Sequence, residues 1–237
     1  MLLRTESLVK DYRLGKEVVH ALRGVDLEVP EGDLLVISGP SGSGKTTLLN
    51  LIGCIDRPTS GEVLLEGEPV SRLPEGRRAE LRRRKLGFIF QTFNLIPVLS
   101  AYENVEYPLL LLGLGRRERR QRVLGILEEV GLLDLARRRP NELSGGQHQR
   151  VAIARALVTE PILVLADEPS ANLDSETGDQ IMQLVARLNR DRGTAFIVVT
   201  HDPVVSRYGK RQLQMRDGKL FKFDLEGERE EKRVGYR

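Results

Sequence analysis

Apolar Val25, Leu27 and Val29 alternate with Asp26 and Glu28, the period-two pattern of a strand with one buried face. Pro30-Glu31-Gly32-Asp33 then turns the chain, and Leu34 to Ser38 is almost wholly apolar, as a strand covered on both faces should be. Further strands are predicted at Glu62–Glu66 and Leu86–Phe90, and two more buried strands at Ile162–Ala166 and Thr194–Val199. Between those last two, Ile181, Leu184, Val185 and Leu188 fall at helical spacing. Strands alternating with helices in this way imply parallel strands joined by helical crossovers. The middle reads differently. From Tyr102 to Leu157 no strand pattern occurs, while Val123, Ile126, Leu127 and Val130, then Val151, Ile153, Ala154 and Leu157, mark two helices. A helical insertion, about residues 95–158, within an α/β domain spanning 2–225 is therefore expected. The charge-dense tail, 226–237, is expected to fray.

The strand Leu34–Ser38 runs into Gly39-Pro40-Ser41-Gly42-Ser43-Gly44-Lys45-Thr46-Thr47, and a helix-compatible stretch follows to Ile52. This is the phosphate-binding pattern G-x-x-x-x-G-K-[ST] in the strand–loop–helix setting it requires. Its glycines let successive N–H groups turn inward onto phosphate oxygens. The helix N-terminus adds a positive dipole end, Lys45 a point charge, and the Thr46 hydroxyl a ligand suited to Mg²⁺. A nucleoside triphosphate with Mg²⁺ is the implied substrate.

Bulk properties narrow the setting. A chain of 237 residues with a formal net charge of +3 suits one sizeable domain with a subdomain attached. Its one cysteine, Cys54, excludes an intramolecular disulfide and sits in an apolar stretch where a small buried thiol is expected. The clusters Arg82-Arg83-Arg84-Lys85 and Arg116, Arg117, Arg119, Arg120 and Arg122 read as solvated helix faces, with anionic lipid or nucleic acid as the alternative. The first ten residues lack the pattern of a signal peptide, and no apolar run is long enough to cross a bilayer, so a cytoplasmic location is expected.

Other elements add chemistry. Leu143-Ser144-Gly145-Gly146-Gln147 is a second glycine-rich turn opening a helix, with Ser144 placed to cap it. Ile162 to Ala166 delivers Asp167 and Glu168 to a strand end, where ligands bind in open α/β sheets. Gln91 follows the strand Leu86–Phe90, and His201 closes the strand Thr194–Thr200. Asn172-Leu173-Asp174 follows the acidic pair, and Tyr12 lies upstream of the phosphate loop.

With these elements in this order, the chain resembles the ATP-binding-cassette (ABC) ATPases over nearly its whole length. The resemblance implies an α/β fold of the phosphate-loop NTPase type: a mainly parallel core sheet, an antiparallel β subdomain and an inserted helical subdomain. It implies ATP with Mg²⁺ held by Thr46, Gln91 and Asp167, Glu168 as general base, and His201 and Lys45 on the γ-phosphate. Tyr12 would stack on adenine. Ser144, Gly145, Gly146 and Gln147 would receive the γ-phosphate bound to a second copy, and Asp174 would reach across that head-to-tail dimer. Ser170 stands where Thr is commoner, and His148 follows the signature where relatives carry Gln, Glu or Lys; no chemistry is assigned to either.

Three runs resemble the macrolide-exporter and lipoprotein-releasing subgroup: Leu49 to Gly61, Phe90 to Pro97, and Ser100 to Val105. That subgroup implies a separate transmembrane subunit docking near Gln91 and holding the cassette on the cytoplasmic face of the membrane. Phe93, Leu95, Ile96, Pro97, Val98 and Leu99 are an apolar patch that serves as dock or as core. A mechanical or signalling ATPase of the cell-division type, without transport, is the alternative. A nucleic-acid machine is disfavoured because the interval from Lys45 to Ser144 is too short for a long heptad insertion, and the chain carries one cassette. A non-catalytic binding module is disfavoured because Lys45, Asp167, Glu168 and His201 are all present.

Overall fold

The structure, a computed structural model, describes residues 1–15 and 17–222. The tail at 226–237 lies outside the described residues. Two sheets form. In the first, β1 (Leu3–Leu14), β2 (Glu17–Val29), β4 (Ser60–Leu65) and β5 (Glu68–Pro69) pair antiparallel in the order β2-β1-β4-β5. The second contains β3 (Leu34–Ser38), β6 (Leu86–Ile89), β7 (Leu163–Asp167), β8 (Ala195–Thr200), β9 (Arg211–Arg216) and β10 (Lys219–Lys222) in the order β10-β9-β3-β8-β7-β6. All its pairs are parallel except β9 with β10.

The central strands are apolar throughout because both faces are covered. Leu35 and Ile37 of β3 and Ile197 and Val199 of β8 join a core with the antiparallel sheet and α1 (Lys45–Ile52). The intervening Leu34, Val36, Phe196 and Val198 face a second core built with the inserted helices and α6 (Ser175–Arg192). The alternation of side chains along a strand thus feeds two cores at once.

Between β6 and β7 the regular elements are helical: α3 (Ala101–Leu111), α4 (Arg116–Glu129) and α5 (Gly145–Leu157), with short 3₁₀ turns between α4 and α5. α2 (Glu75–Lys85) precedes β6, and α7 (Pro203–Ser206) is a single turn after β8. Four of the described strands carry no prediction from the sequence: β1, β5, β9 and β10. Much of the basic character is consumed internally. Arg82 donates to the Cys54 carbonyl, Lys85 pairs with Glu66, Arg119 with Glu106, and Arg122 with Glu118 and Glu160. Cys54 is buried, as expected.

Parallel packing has one consequence for function. β3, β8, β7 and β6 are neighbours and end at the same edge of the sheet, so whatever follows each strand converges there.

Candidate active site

The turn after β3 folds back over the head of α1. A Cβ at Gly39 would lie 2.1 Å from the Met215 carbonyl oxygen, and one at Gly44 would lie 2.5 Å from that of Ala21. Both positions need glycine for space, and Gly44 also holds φ +108. Gly39 N–H is anchored on the Thr200 carbonyl, which ties the loop to the end of β8. No side chain caps α1, and its first turn carries no acid. Its leading N–H groups therefore face an anion site without a protein acceptor, the arrangement phosphate exploits.

Lys45 is 6% exposed, and its ammonium donates to the loop's own carbonyls, Gly39 at 2.7 Å and Pro40 at 3.0 Å. Burial lowers its pKa, while Glu168 and Asp167 oppose that shift. Pro40, Ser41 and Gly42 form the exposed outer turn, and the buried Ser43 hydroxyl lacks a hydrogen-bond partner.

β7 ends on Asp167, whose carboxylate accepts from the Thr46 hydroxyl at 3.3 Å. Burial raises the pKa of Asp167; Thr46 and Lys45 lower it and Glu168 adds to the rise. Among the described residues no three His, Cys, Asp or Glu side chains come together as a cation cage. Asp167 with Thr46 is instead the partial set that Mg²⁺ uses when substrate phosphates complete its shell. The residues fit that ion.

Glu168 adopts φ +48, the left-handed region, which is uncommon for a residue with a side chain and costs about 1–3 kcal/mol. The carbonyl of Val199 takes its N–H. The turn aims the carboxylate at both His201, with Nδ1 2.9 Å away, and the Lys45 ammonium at 3.9 Å. One Glu168 oxygen also accepts from the His201 backbone N–H at 3.2 Å.

Gln91 lies just beyond β6 with an exposed side chain, and its carbonyl accepts from Asn172 at 2.8 Å. Phe93 and Asn94 follow with φ +60 and +49, and Arg155 of α5 donates to both their carbonyls. This strained turn hangs on the helical arm. Asn104 does similar work, holding the Ile96 and Leu99 carbonyls. Leu95 of the apolar patch is half-buried against the helical core.

Ser144 caps α5 in a reciprocal box with Gln147. Gly145 and Gly146 pack under Leu173 and Thr177, where a Cβ on Gly146 would come within 2.6 Å of Thr177. Asp174 caps α6 by accepting from the Thr177 N–H. Among the described residues, no hydrogen bond or ion pair joins Ser144 to the phosphate loop of its own chain. The chain thus gathers Lys45, Thr46, Asp167, Glu168 and His201 into one cluster, to which Ser144 makes no hydrogen bond or ion pair among the described residues.

Tyr12 stands over the first turn of α1. Its hydroxyl donates to Asp56 at 3.0 Å and faces the Thr47 hydroxyl. Asp56 is a contact the sequence reading missed, and no local motif could have announced it.

A phosphate loop at the carboxyl edge of a parallel sheet, with an acidic pair on a nearby strand, defines a nucleoside-triphosphate hydrolase. The comparisons narrow that class. Residues 22–171 match the family model described as ABC transporter, more than half of the chain. An ABC transporter ATP-binding protein of Thermotoga maritima is 52% identical over 211 residues, covering 89% of this chain and 90% of that one. MJ0796, an ABC transporter ATP-binding protein of Methanocaldococcus jannaschii, is 46% identical over 239 residues, covering 99% of each. A dimeric structure of the MJ0796 cassette in a post-hydrolysis state, bound to ADP and Pi, superposes with a TM-score of 0.85 over 99% of this chain and 100% of that one, at 46% identity. The structure of cbiO1 from Clostridium perfringens, part of the ABC transporter complex cbiONQ, gives a TM-score of 0.83 at 32% identity, covering 93% of this chain and 86% of that one. The chain belongs to the ABC transporter family as an ATP-binding cassette, an ATPase that uses ATP with Mg²⁺.

Proposed function

We propose that this cassette hydrolyses ATP as a head-to-tail homodimer and drives a separate membrane subunit of the macrolide-export or lipoprotein-release type. The observation that carries the dimer is the division of the site. Lys45, Thr46, Asp167, Glu168 and His201 converge, while the Ser144 turn, which has the same chemistry for an anion, opens a helix of the helical arm and bonds to none of them. A second copy brings the two halves together.

In this reading the phosphate-loop N–H groups and Lys45 hold the triphosphate, and Tyr12 gives the adenine a face to stack on. Thr46, Asp167 and Gln91 hold Mg²⁺, which when bound neutralises charge on the phosphate oxygens. Glu168 accepts the proton of the attacking water, and the contact from His201 Nδ1 keeps its carboxylate turned toward the γ-phosphate position. The partner copy's signature turn supplies donors on the remaining side, which transition-state charge demands. Relatives that are dimeric or belong to a transporter complex support this assignment.

Among the described residues no helix is long and apolar enough to cross a membrane. A groove of about 470 Å³ beside the Gln91 turn fits a docking segment of the membrane subunit. Ile55, Phe88, Phe90 and Leu111 give it an apolar floor, and Arg83 and Arg155 give it a basic rim. Docking there keeps the cassette on the cytoplasmic face. The runs at Leu49–Gly61, Phe90–Pro97 and Ser100–Val105 support the subgroup.

The Glu168→Gln variant tests the dimer. It should bind ATP, turn over about 10²–10⁴-fold more slowly, and elute as a dimer in saturating ATP with Mg²⁺. Elution as a monomer under those conditions would contradict the reading.

A further inference from the structure

The phenol of Tyr12 is fixed by two charged residues from different parts of the chain. Asp56, in the loop after α1, accepts the Tyr12 hydroxyl at 3.0 Å and pairs with Lys10 at 2.8 Å. Lys10 Nζ also donates to the Arg57 carbonyl at 2.8 Å and lies over the Tyr12 ring, 4.8 Å from its centroid. Desolvation pushes the Asp56 carboxyl up, yet hydrogen bonds from Lys10, Arg57 N–H and Tyr12 bring it below its usual value. It therefore remains a charged acceptor. Burial, with Asp56 adding to it, raises the Tyr12 pKa, so the hydroxyl keeps its proton to donate.

The loop that carries Asp56 is itself rigidly tied to α1. The N–H groups of Ile55 and Asp56 both donate to the Asn50 carbonyl, at 2.8 and 3.1 Å. The Cys54 carbonyl receives Arg78 Nε at 3.1 Å and Nη2 at 2.8 Å, and Arg82 Nη1 at 2.6 Å. β1 is pinned to the same loop, since Thr59 N–H donates to Val9 O at 2.8 Å and Asp11 N–H to Thr59 Oγ1 at 2.9 Å. The helix whose head holds the phosphate loop thus holds, at its tail, the group that orients Tyr12.

From this geometry we infer that Asp56, with Lys10, is a positioning residue for the purine base of the nucleotide: it locks the Tyr12 ring at a fixed place relative to the phosphate loop. The inference rests on the reading of Tyr12 as the base platform. Losing the lock frees the ring to rotate, and the ordering cost then falls on nucleotide binding. Phosphate contacts are untouched, so the effect belongs to ligands that carry a base. KM for ATP should rise with kcat unchanged, as for an interaction equal in ground and transition states.

The test compares ATP with inorganic tripolyphosphate, each with Mg²⁺, by titration calorimetry on the full chain. Asp56→Ala and Tyr12→Phe should each weaken ATP binding about five- to tenfold, the net scale of one ordinary hydrogen bond, and leave tripolyphosphate affinity unchanged. The double variant should be no worse than either single one, because both remove the same contact. Equal losses for ATP and tripolyphosphate would overturn the inference and make Asp56 a support of α1. Unchanged ATP affinity in Asp56→Ala would overturn it too. Tyr12→Ala separates the two layers: if it fails to reduce the preference for ATP over tripolyphosphate, the platform reading falls and the inference with it. If Tyr12→Ala reduces that preference while Asp56→Ala does not, the inference alone is wrong.

Discussion

Asp167 and Glu168 are adjacent, yet the fold treats them differently. Asp167 closes a buried strand, and burial raises its pKa in the folded chain above the unfolded value. The native state then holds that proton more firmly than the unfolded state does. Stability from this group falls as pH rises from the unfolded pKa through the folded one, and the full penalty stands at neutral pH. Asp167→Asn keeps an acceptor for Thr46 and removes the buried charge. It should raise the ligand-free Tm at neutral pH, flatten this part of the pH profile, and abolish the added stability conferred by ATP with Mg²⁺. Thermal melts at several pH values check this; a lower ligand-free Tm at neutral pH would contradict it. Asp167, Glu168 and His201 were readable because each sits at a strand end, and Lys45 because it closes the glycine-rich loop at the head of α1. Asp56 was not, because its bond to Tyr12 spans 44 positions and depends on how β1 lies against α1.

The elements that escaped sequence reading are those whose pattern is broken or diluted. Pairing of β1 with β2 shifts register between Thr5 and Leu8 and again between Lys10 and Asp11, so no clean alternation survives along the strand. In β9 only Leu213 and Met215 are buried among four polar residues. The central strands and the helices α4 and α5 were legible because each sustains one pattern over its length, whereas α3, interrupted by Pro108, was not marked. α2 shows a different limit: the run Arg82-Arg83-Arg84-Lys85 reads as a solvated face, yet Arg82 donates to the Cys54 carbonyl, and Arg78, one turn earlier and outside that reading, is 3% exposed and bonded to the carbonyls of Cys54 and Ile55. Charge runs do not reveal which member turns inward. Arg78→Met should leave those carbonyls short of donors and cost about 2 kcal/mol, or about 6 °C in Tm. A Tm within 1 °C or so of the parent would show that Arg78 is dispensable.

At the scale of the molecule, the helical arm carries the Ser144 turn while the sheet edge carries the cluster proposed to hydrolyse ATP. Arg155 and Asn104 fix the Gln91 turn to that arm, so movement of the arm and of the turn are mechanically joined. Assembly was legible in the sequence only through resemblance, since no residue pattern says where a second copy sits. The account rests on completion of each site by that copy. Specific activity of the parent cassette, measured across dilutions at saturating ATP with Mg²⁺, tests this most directly. The rate per protomer should rise with protein concentration while monomers predominate and level off once dimers form. A constant rate per protomer at every dilution, with sedimentation showing monomers throughout, would contradict it.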